Sequence, residues 1–174
     1  MIEFQGGEPL LRFDIIKYII GYAKKLNEHA GKVLEFSIVT NLNLMDREKM
    51  DYLIENDVSI CTSLDGPPDL HNRNRPLILK TENSYGLVKK WIIDINEEYA
   101  KKGIKKRRVN ALMTITRSSL SRWKEIVDEY VQLGVNDIFI RFLNNLGDAR
   151  STWGSINYSA EEFIEFWKRS MDYI

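Results

Sequence analysis

The 174-residue chain contains one cysteine, two histidines and four prolines, and the scarcity of each excludes something. The lone Cys61 cannot close an internal disulfide, and it cannot hold an iron-sulfur or zinc site without ligands from elsewhere. With histidines only at 29 and 71, the sequence offers no convincing acid/base pair or metal-ligand cluster for ordinary barrel chemistry. Net charge is also missing. With 25 basic and 25 acidic residues, nothing global draws the chain to nucleic acid or to an anionic membrane. No apolar run approaches the roughly 20 residues of a spanning helix, and Met1 leads straight into a strand instead of a signal sequence, so a cytoplasmic location is expected. What is present is an ordinary globular composition, 44% hydrophobic and 29% charged, in a length that suits one domain or a piece of a larger one.

The stretch Ile2-Glu3-Phe4-Gln5-Gly6-Gly7-Glu8-Pro9 reads as a strand that stops abruptly at a ligand site, because glycine lets backbone approach a ligand closely. Pro9 fits the first turn of a helix. Phe13, Ile15, Ile16, Ile19, Ile20, Ala23 and Leu26 then recur at helical spacing and place one apolar face on a helix ending near Gly31. Val33 to Thr40 predicts a parallel strand buried on both faces. Asp46 is the expected cap of a short helix carrying Met50, Leu53 and Ile54, which ends at Asn56-Asp57. Val58, Ile60, Thr62 and Leu64 alternate in a further strand, followed by a long polar loop from Ser63 to Pro76. Leu87, Val88, Trp91, Ile92, Ile95 and Tyr99 mark a long helix. The basic run from Lys101 to Arg108 contains no aromatic residue and reads as a solvated loop. Val109 to Ile115 predicts a strand, Ser118 or Ser119 caps a helix ending at Gly134, and Asp137 to Leu143 is the last strand. A Gly-, Asn- and Ser-rich loop runs from Asn144 to Tyr158, and Ser159 with Glu162 forms a capping box for a final helix.

Strand and helix alternate five times with no linker, so residues 1–174 form one α/β domain with a parallel sheet. An open Rossmann-type sheet and a partial (β/α) barrel share this pattern, and both place ligands at the carboxyl ends of the strands. The polar punctuation sits at those ends: Gly6-Gly7-Glu8, Thr40-Asn41, Ser63 to Arg75, Thr114 to Arg117 and Arg141 to Asn145. If the strands are neighbours, the Gly6-Gly7 backbone, the Glu8 carboxylate, the Ser63 hydroxyl and the Arg75 guanidinium converge on one mouth. Such an array suits a zwitterion, with oxygen acceptors for an ammonium and Ser63 and Arg75 for a carboxylate.

Phe-Gln-Gly-Gly-Glu-Pro-Leu-Leu at 4–11, Thr40-Asn41, and Ser-Leu-Asp-Gly-Pro-x-x-x-His-x-x-x-Arg-Pro across 63–76 resemble the radical S-adenosylmethionine (SAM) superfamily. The resemblance covers the whole chain and is to the branch of anaerobic sulfatase-maturating enzymes and SPASM peptide maturases. It implies a partial (β/α) barrel of which this chain holds strands two to six. It also implies that Gly6, Gly7 and Glu8, with Gln5 beside them, hold the methionine ammonium of SAM. Ser63 and Arg75 match positions that bind its carboxylate or neighbouring groups. Asp65 and Asn41 belong to the same binding set, and Phe142 opens the Phe142-Leu143-Asn144 loop expected near the adenine. His71 is expected to order its loop, and Cys61 to be a buried small hydrophobe. The stretch 142–150, Thr152-Trp153 and the helix opening Tyr-Ser-Ala-Glu-Glu-Phe are similar to maturases of His-Xaa-Ser repeat peptide systems.

The chain departs from that family in lacking its Cys-x-x-x-Cys-x-x-Cys, whose thiolates hold a [4Fe-4S] cluster. The expectation is therefore a fragment, inactive as it stands, of an enzyme that cleaves SAM reductively and modifies a peptide or protein, drawing electrons from a reductant. The edge of the first strand would be open, promoting self-association. The competing expectation is a non-catalytic peptide- or nucleotide-binding module.

Overall fold

The computed structural model describes residues 1–77, 83–105, 107–135, 137–147 and 149–174; Lys106 of the basic run and Asp148 of the 142–150 stretch lie outside them. The strands β1 (Ile2–Phe4), β2 (Phe36–Thr40), β3 (Val58–Ser63), β4 (Asn110–Thr114) and β5 (Ile138–Arg141) stand side by side in chain order, all parallel. A doubly wound sheet reverses its strand order at a switch point. This sheet does not, so its order is that of a (β/α) barrel wall.

The side chains sort accordingly. Ile38, Ile60, Ala111 and Met113, all fully buried, pack under the helices, while Ser37, Val39, Ser59, Cys61, Asn110 and Leu112 line a cavity of about 930 Å³ on the opposite face. The expectation of a second strand from Val33, buried on both faces, is corrected on two points. Val33 is 86% exposed and lies outside β2, and Ser37 and Val39 look into the open cavity.

Helix ends follow their chemistry. Glu8 caps a 3-10 turn at Pro9–Arg12 that leads into α1 (Phe13–Ala30), and Gly31 ends α1 at φ 59° with its N–H donating to the Asn27 carbonyl. Of the apolar residues on α1, Phe13, Ile16 and Ile20 are buried, whereas Ile15 and Leu26 are exposed, so spacing alone over-counted the buried face. Asp46 accepts from Lys49 N–H at 2.8 Å and caps α2 (Arg47–Glu55). Part of the polar loop after β3 is helical: α3 (Pro68–Asn74) starts on Pro68, whose missing N–H costs nothing in a first turn, and buries Leu70 and His71. The long helix is α4 (Ser84–Lys101).

The cap of the next helical segment is Thr116 in place of Ser118 or Ser119. Ser119 answers from the third position of a 3-10 turn (Arg117–Arg122) that runs into α5 (Trp123–Gln132). The expected terminal loop contains α6 (Ala149–Ile156), and the Ser159–Glu162 box opens α7 (Ala160–Tyr173). In the basic run, Arg107 pairs with Asp57 at 2.7 Å and Lys102 lies 3.9 Å from Glu55.

Two contacts fix the β3 loop on α5. Gly66 has φ 119°, and a Cβ there would stand 2.8 Å from Ile126 Cγ1, so only glycine lets the loop lie so close. Beside it the buried Tyr130 hydroxyl donates to the Leu64 carbonyl at 2.5 Å.

Candidate functional site

At the carboxyl ends of the strands Gln5, Gly6, Gly7, Ser63 and Arg75 wall one cleft of about 480 Å³, together with Val39, Leu112, Thr114 and Arg141. That volume lies within the roughly 300–1,000 Å³ range of small-molecule sites. The Gly6 and Ser63 loops reach it because β1, β2 and β3 pair in parallel and therefore end together.

Glu8 follows Gly7 but is not among the residues that line the cleft, and its carboxylate is held by protein donors. Its Oε1 accepts from Leu10 N–H at 3.0 Å and from the Thr40 hydroxyl at 2.7 Å, and its Oε2 accepts from Asn41 N–H at 2.9 Å. One carboxylate thus closes the turn after β1 and latches it to the end of β2. Asn41 accepts from Asn43 N–H at 2.9 Å and lines a smaller chamber of about 130 Å³ with Asn43, Ser63, His71 and Arg75. Ser63 and Arg75 therefore face both spaces.

Asp65 is 1% exposed, and its hydrogen bonds run to protein groups. Its Oδ2 accepts from Arg75 Nε at 2.8 Å, and its Oδ1 accepts from Arg75 Nη2 at 3.1 Å and from Thr114 N–H at 3.1 Å. This bidentate fork fixes the plane of the guanidinium and ties the β3 loop to the end of β4. Arg75 Nη1 is left for the cleft. The backbone N–H of Asp65 donates to His71 Nδ1 at 3.3 Å, and burial pushes the His71 imidazole down to about 4. His71 is therefore neutral near pH 7, with its proton on Nε2.

Phe142 is not brought into the cleft. Its half-exposed ring packs edge-on against Tyr158 and Phe163 at 5.2 and 5.3 Å. The backbone of this loop is held instead, Leu143 N–H donating to the Tyr158 hydroxyl at 2.8 Å.

Four lining residues were not in the expected binding set: Val39, Leu112, Thr114 and Arg141, of which the last two had been placed only among the polar strand ends. Both end strands on the concave side, and the alternation Phe139, Arg141 was the available signal.

The donors and acceptors of the cleft suit an amino-acid zwitterion, so the residues present fit SAM. They do not fit a [4Fe-4S] cluster. Among the described residues no group of three or more His, Cys, Asp or Glu could hold a metal ion. The single cysteine is buried within β3, where burial pushes its thiol up to about 11 against the pull of Arg141.

Fold and cleft define an α/β protein of the partial (β/α)-barrel class with a ligand mouth at the carboxyl ends of its strands. The pattern of the radical SAM superfamily matches residues 1–130, and the chain belongs to that superfamily. It is 27% identical over 180 residues to the cysteine-type anaerobic sulfatase-maturating enzyme of Clostridium perfringens strain ATCC 13124, covering 98% of this chain and 44% of the relative. The enzyme of the same name from strain 13 is 26% identical over 179 residues, with 97% and 44% covered. The chain thus spans less than half the length of these relatives. A solved structure described as native anSMEcpe with bound AdoMet and Kp18Cys peptide superposes with a TM-score of 0.82 at 21% identity, covering 99% of this chain and 45% of that one. That likeness confirms the radical SAM partial-barrel fold.

Proposed function

We propose that this chain is the SAM-binding core of an enzyme that modifies a peptide or protein side chain by radical chemistry. The observation that carries the reading is the convergence of the Gly6-Gly7 backbone, Ser63 and Arg75 on one cleft in a chain of this superfamily. Its similarity to a sulfatase-maturating enzyme and to a structure holding AdoMet and a peptide supports a peptide or protein substrate.

In a full-length protein that also carried a cluster, SAM held in this cleft would supply a 5′-deoxyadenosyl radical. The chain's own residues hold and orient the ligand. Carbonyls beside Gly6 and Gly7, with Gln5, take the ammonium, while Ser63 and Arg75 take the carboxylate. Asp65 keeps Arg75 in place, Asn41 completes the wall of the adjoining chamber, and the backbone of the Phe142-Leu143-Asn144 loop borders the adenine. Glu8 acts by latching the glycine turn and offers the remaining lone pair of Oε2. The cluster ligands and the reductant are supplied from outside these residues, so residues 1–174 alone are inactive.

The test is anaerobic reconstitution with iron and sulfide of a full-length protein that joins this core to a three-cysteine loop, followed by reduction with SAM present. Release of 5′-deoxyadenosine is expected from the full-length protein. Neither the release nor a stoichiometric cluster is expected from residues 1–174. A cluster in the short chain that disappears in Cys61→Ala would contradict the reading, and a full-length protein that binds peptide but releases no 5′-deoxyadenosine would favour the non-catalytic module.

We also infer that isolated residues 1–174 self-associate through β1. Among the described residues that strand pairs only with β2, which leaves the backbone groups of Glu3 on a free edge. On α1, Lys17 and Lys24 reach α2 and the residue that follows it, while Ile15, Tyr18, Tyr22 and Leu26, with Leu11 of the preceding 3-10 turn, are exposed apolar residues at helical spacing. A second copy paired along the edge would cover both features. Sedimentation velocity should show dimers or larger species that increase with concentration. A monomer at every concentration would sink this inference.

A further inference from the structure

The chamber between the ends of β2 and β3 contains an unused donor. His71 is 1% exposed, its Nδ1 accepts from Asp65 N–H, and its Nε2, which must then carry the proton, has no partner among the described residues. A buried donor left unpaired loses its hydration with nothing in exchange, so the site is expected to be completed by something that accepts. Other side chains around the chamber can also donate, beside Asn41, whose Oδ1 already accepts from Asn43 N–H. Ser63 presents a hydroxyl, and Arg75, with Nε and Nη2 turned to Asp65, presents Nη1. Asn43 Oδ1 is likewise buried without a partner, and a half-turn of its amide presents NH₂ in its place. Several donors and one cation thus surround about 130 Å³, a space of roughly four water volumes. A carboxylate offers about four lone-pair sites and a negative charge, and so satisfies this set better than water does.

We propose that His71 is a ligand-contact residue, donating from Nε2 to the carboxylate of the bound amino-acid end alongside Ser63 and Arg75. This rests on the reading that Ser63 and Arg75 take the carboxylate of SAM, and extends it to a residue whose sequence context suggests only loop ordering. The role divides between the two nitrogens. Nδ1 orders the β3 loop by accepting from Asp65, and Nε2 reads the ligand.

Two substitutions separate these roles. In His71→Asn the amide oxygen takes the place of Nδ1 and no group reaches the position of Nε2. In His71→Gln the amide NH₂ reaches the position of Nε2 and the acceptor for Asp65 is lost. Titration calorimetry of cluster-loaded full-length protein with SAM and with decarboxylated SAM reads the difference. His71→Asn should bind SAM roughly tenfold or more weakly, as expected for loss of a bond to a charged group, and bind decarboxylated SAM like the parent, with its melting temperature kept. His71→Gln should keep most of the SAM affinity and melt lower. If His71→Asn does not fold, His71→Met, which fills the space without a donor, takes its place in the comparison. Unchanged SAM affinity in the donor-less variant while Arg75→Ala binds weakly would overturn the proposal, leaving water as the partner of Nε2 and the carboxylate reading intact. Equal loss for SAM and decarboxylated SAM would assign His71 a structural role only. Unchanged affinity in both His71→Asn and Arg75→Ala would remove the carboxylate reading itself.

Discussion

Asp65→Ala is expected to destabilise the domain by about 3 kcal/mol. The carboxylate makes two bonds to Arg75 and one to Thr114 N–H, and its side chain is 2% exposed. Breaking a buried pair by removing one partner costs roughly 3–5 kcal/mol, because the surviving charge is left without compensation. The lower end applies, since the Arg75 side chain is 29% exposed and can turn partly to water. For a domain of this size the loss corresponds to a fall in melting temperature of roughly 6–12 °C. Asp65→Asn should cost less, because the amide oxygen still accepts from Thr114 N–H and one bond to Arg75 survives. Urea or thermal unfolding of the two variants beside the parent measures both. A loss below about 0.5 kcal/mol in Asp65→Ala, the range of ordinary surface substitutions, would show that the fork to Arg75 contributes little.

Much of this arrangement was legible in the residue order. Alternating β-branched runs and capped helical stripes specify parallel α/β units, and the Gly6-Gly7 and Ser63–Arg75 stretches fall at the strand ends, where such sheets bind ligands. The two short helices were not legible, for a physical reason. α3 contains a single apolar residue, Leu70, among polar ones, so it is held by the Pro68 start and by tertiary burial instead of by periodicity. α6 has no buried residue at all and lies in a stretch of turn-forming composition. The open face of β2 was hidden as well, since Val39 is as apolar as the buried Ile38 and Ser37 alone does not announce which side lacks helices. Thr114 and Arg141 were legible as polar strand ends, but that they share one cleft with Gly6 and Ser63 required the strand order. Likewise, nothing in Asp-Gly-Pro marks Asp65 as the partner of an arginine ten positions on; in isolation it reads as a turn former.

The second large effect is on binding. Arg75 offers Nη1 to the cleft from a guanidinium that Asp65 has already oriented, so little further ordering is needed when a carboxylate arrives. Removing a charged hydrogen-bond partner costs about 1.5–3 kcal/mol, which is roughly 10- to 150-fold in Kd. Arg73, two residues away, is exposed and borders a different cavity beside α6, so Arg73→Ala should change SAM affinity much less. Arg75→Ala also strands the Asp65 carboxylate, and the Asp65→Asn/Arg75→Ala double variant removes that complication by neutralising it.

Titration calorimetry with SAM on cluster-loaded full-length protein, with melting temperature and cluster content matched across variants, tests the central claim most directly. A weakening of roughly tenfold or more is expected in Arg75→Ala and in the double variant, with Arg73→Ala close to the parent. Unchanged affinity in both Arg75 variants, or a larger loss in Arg73→Ala, would contradict the placement of the ligand's carboxylate at Ser63 and Arg75.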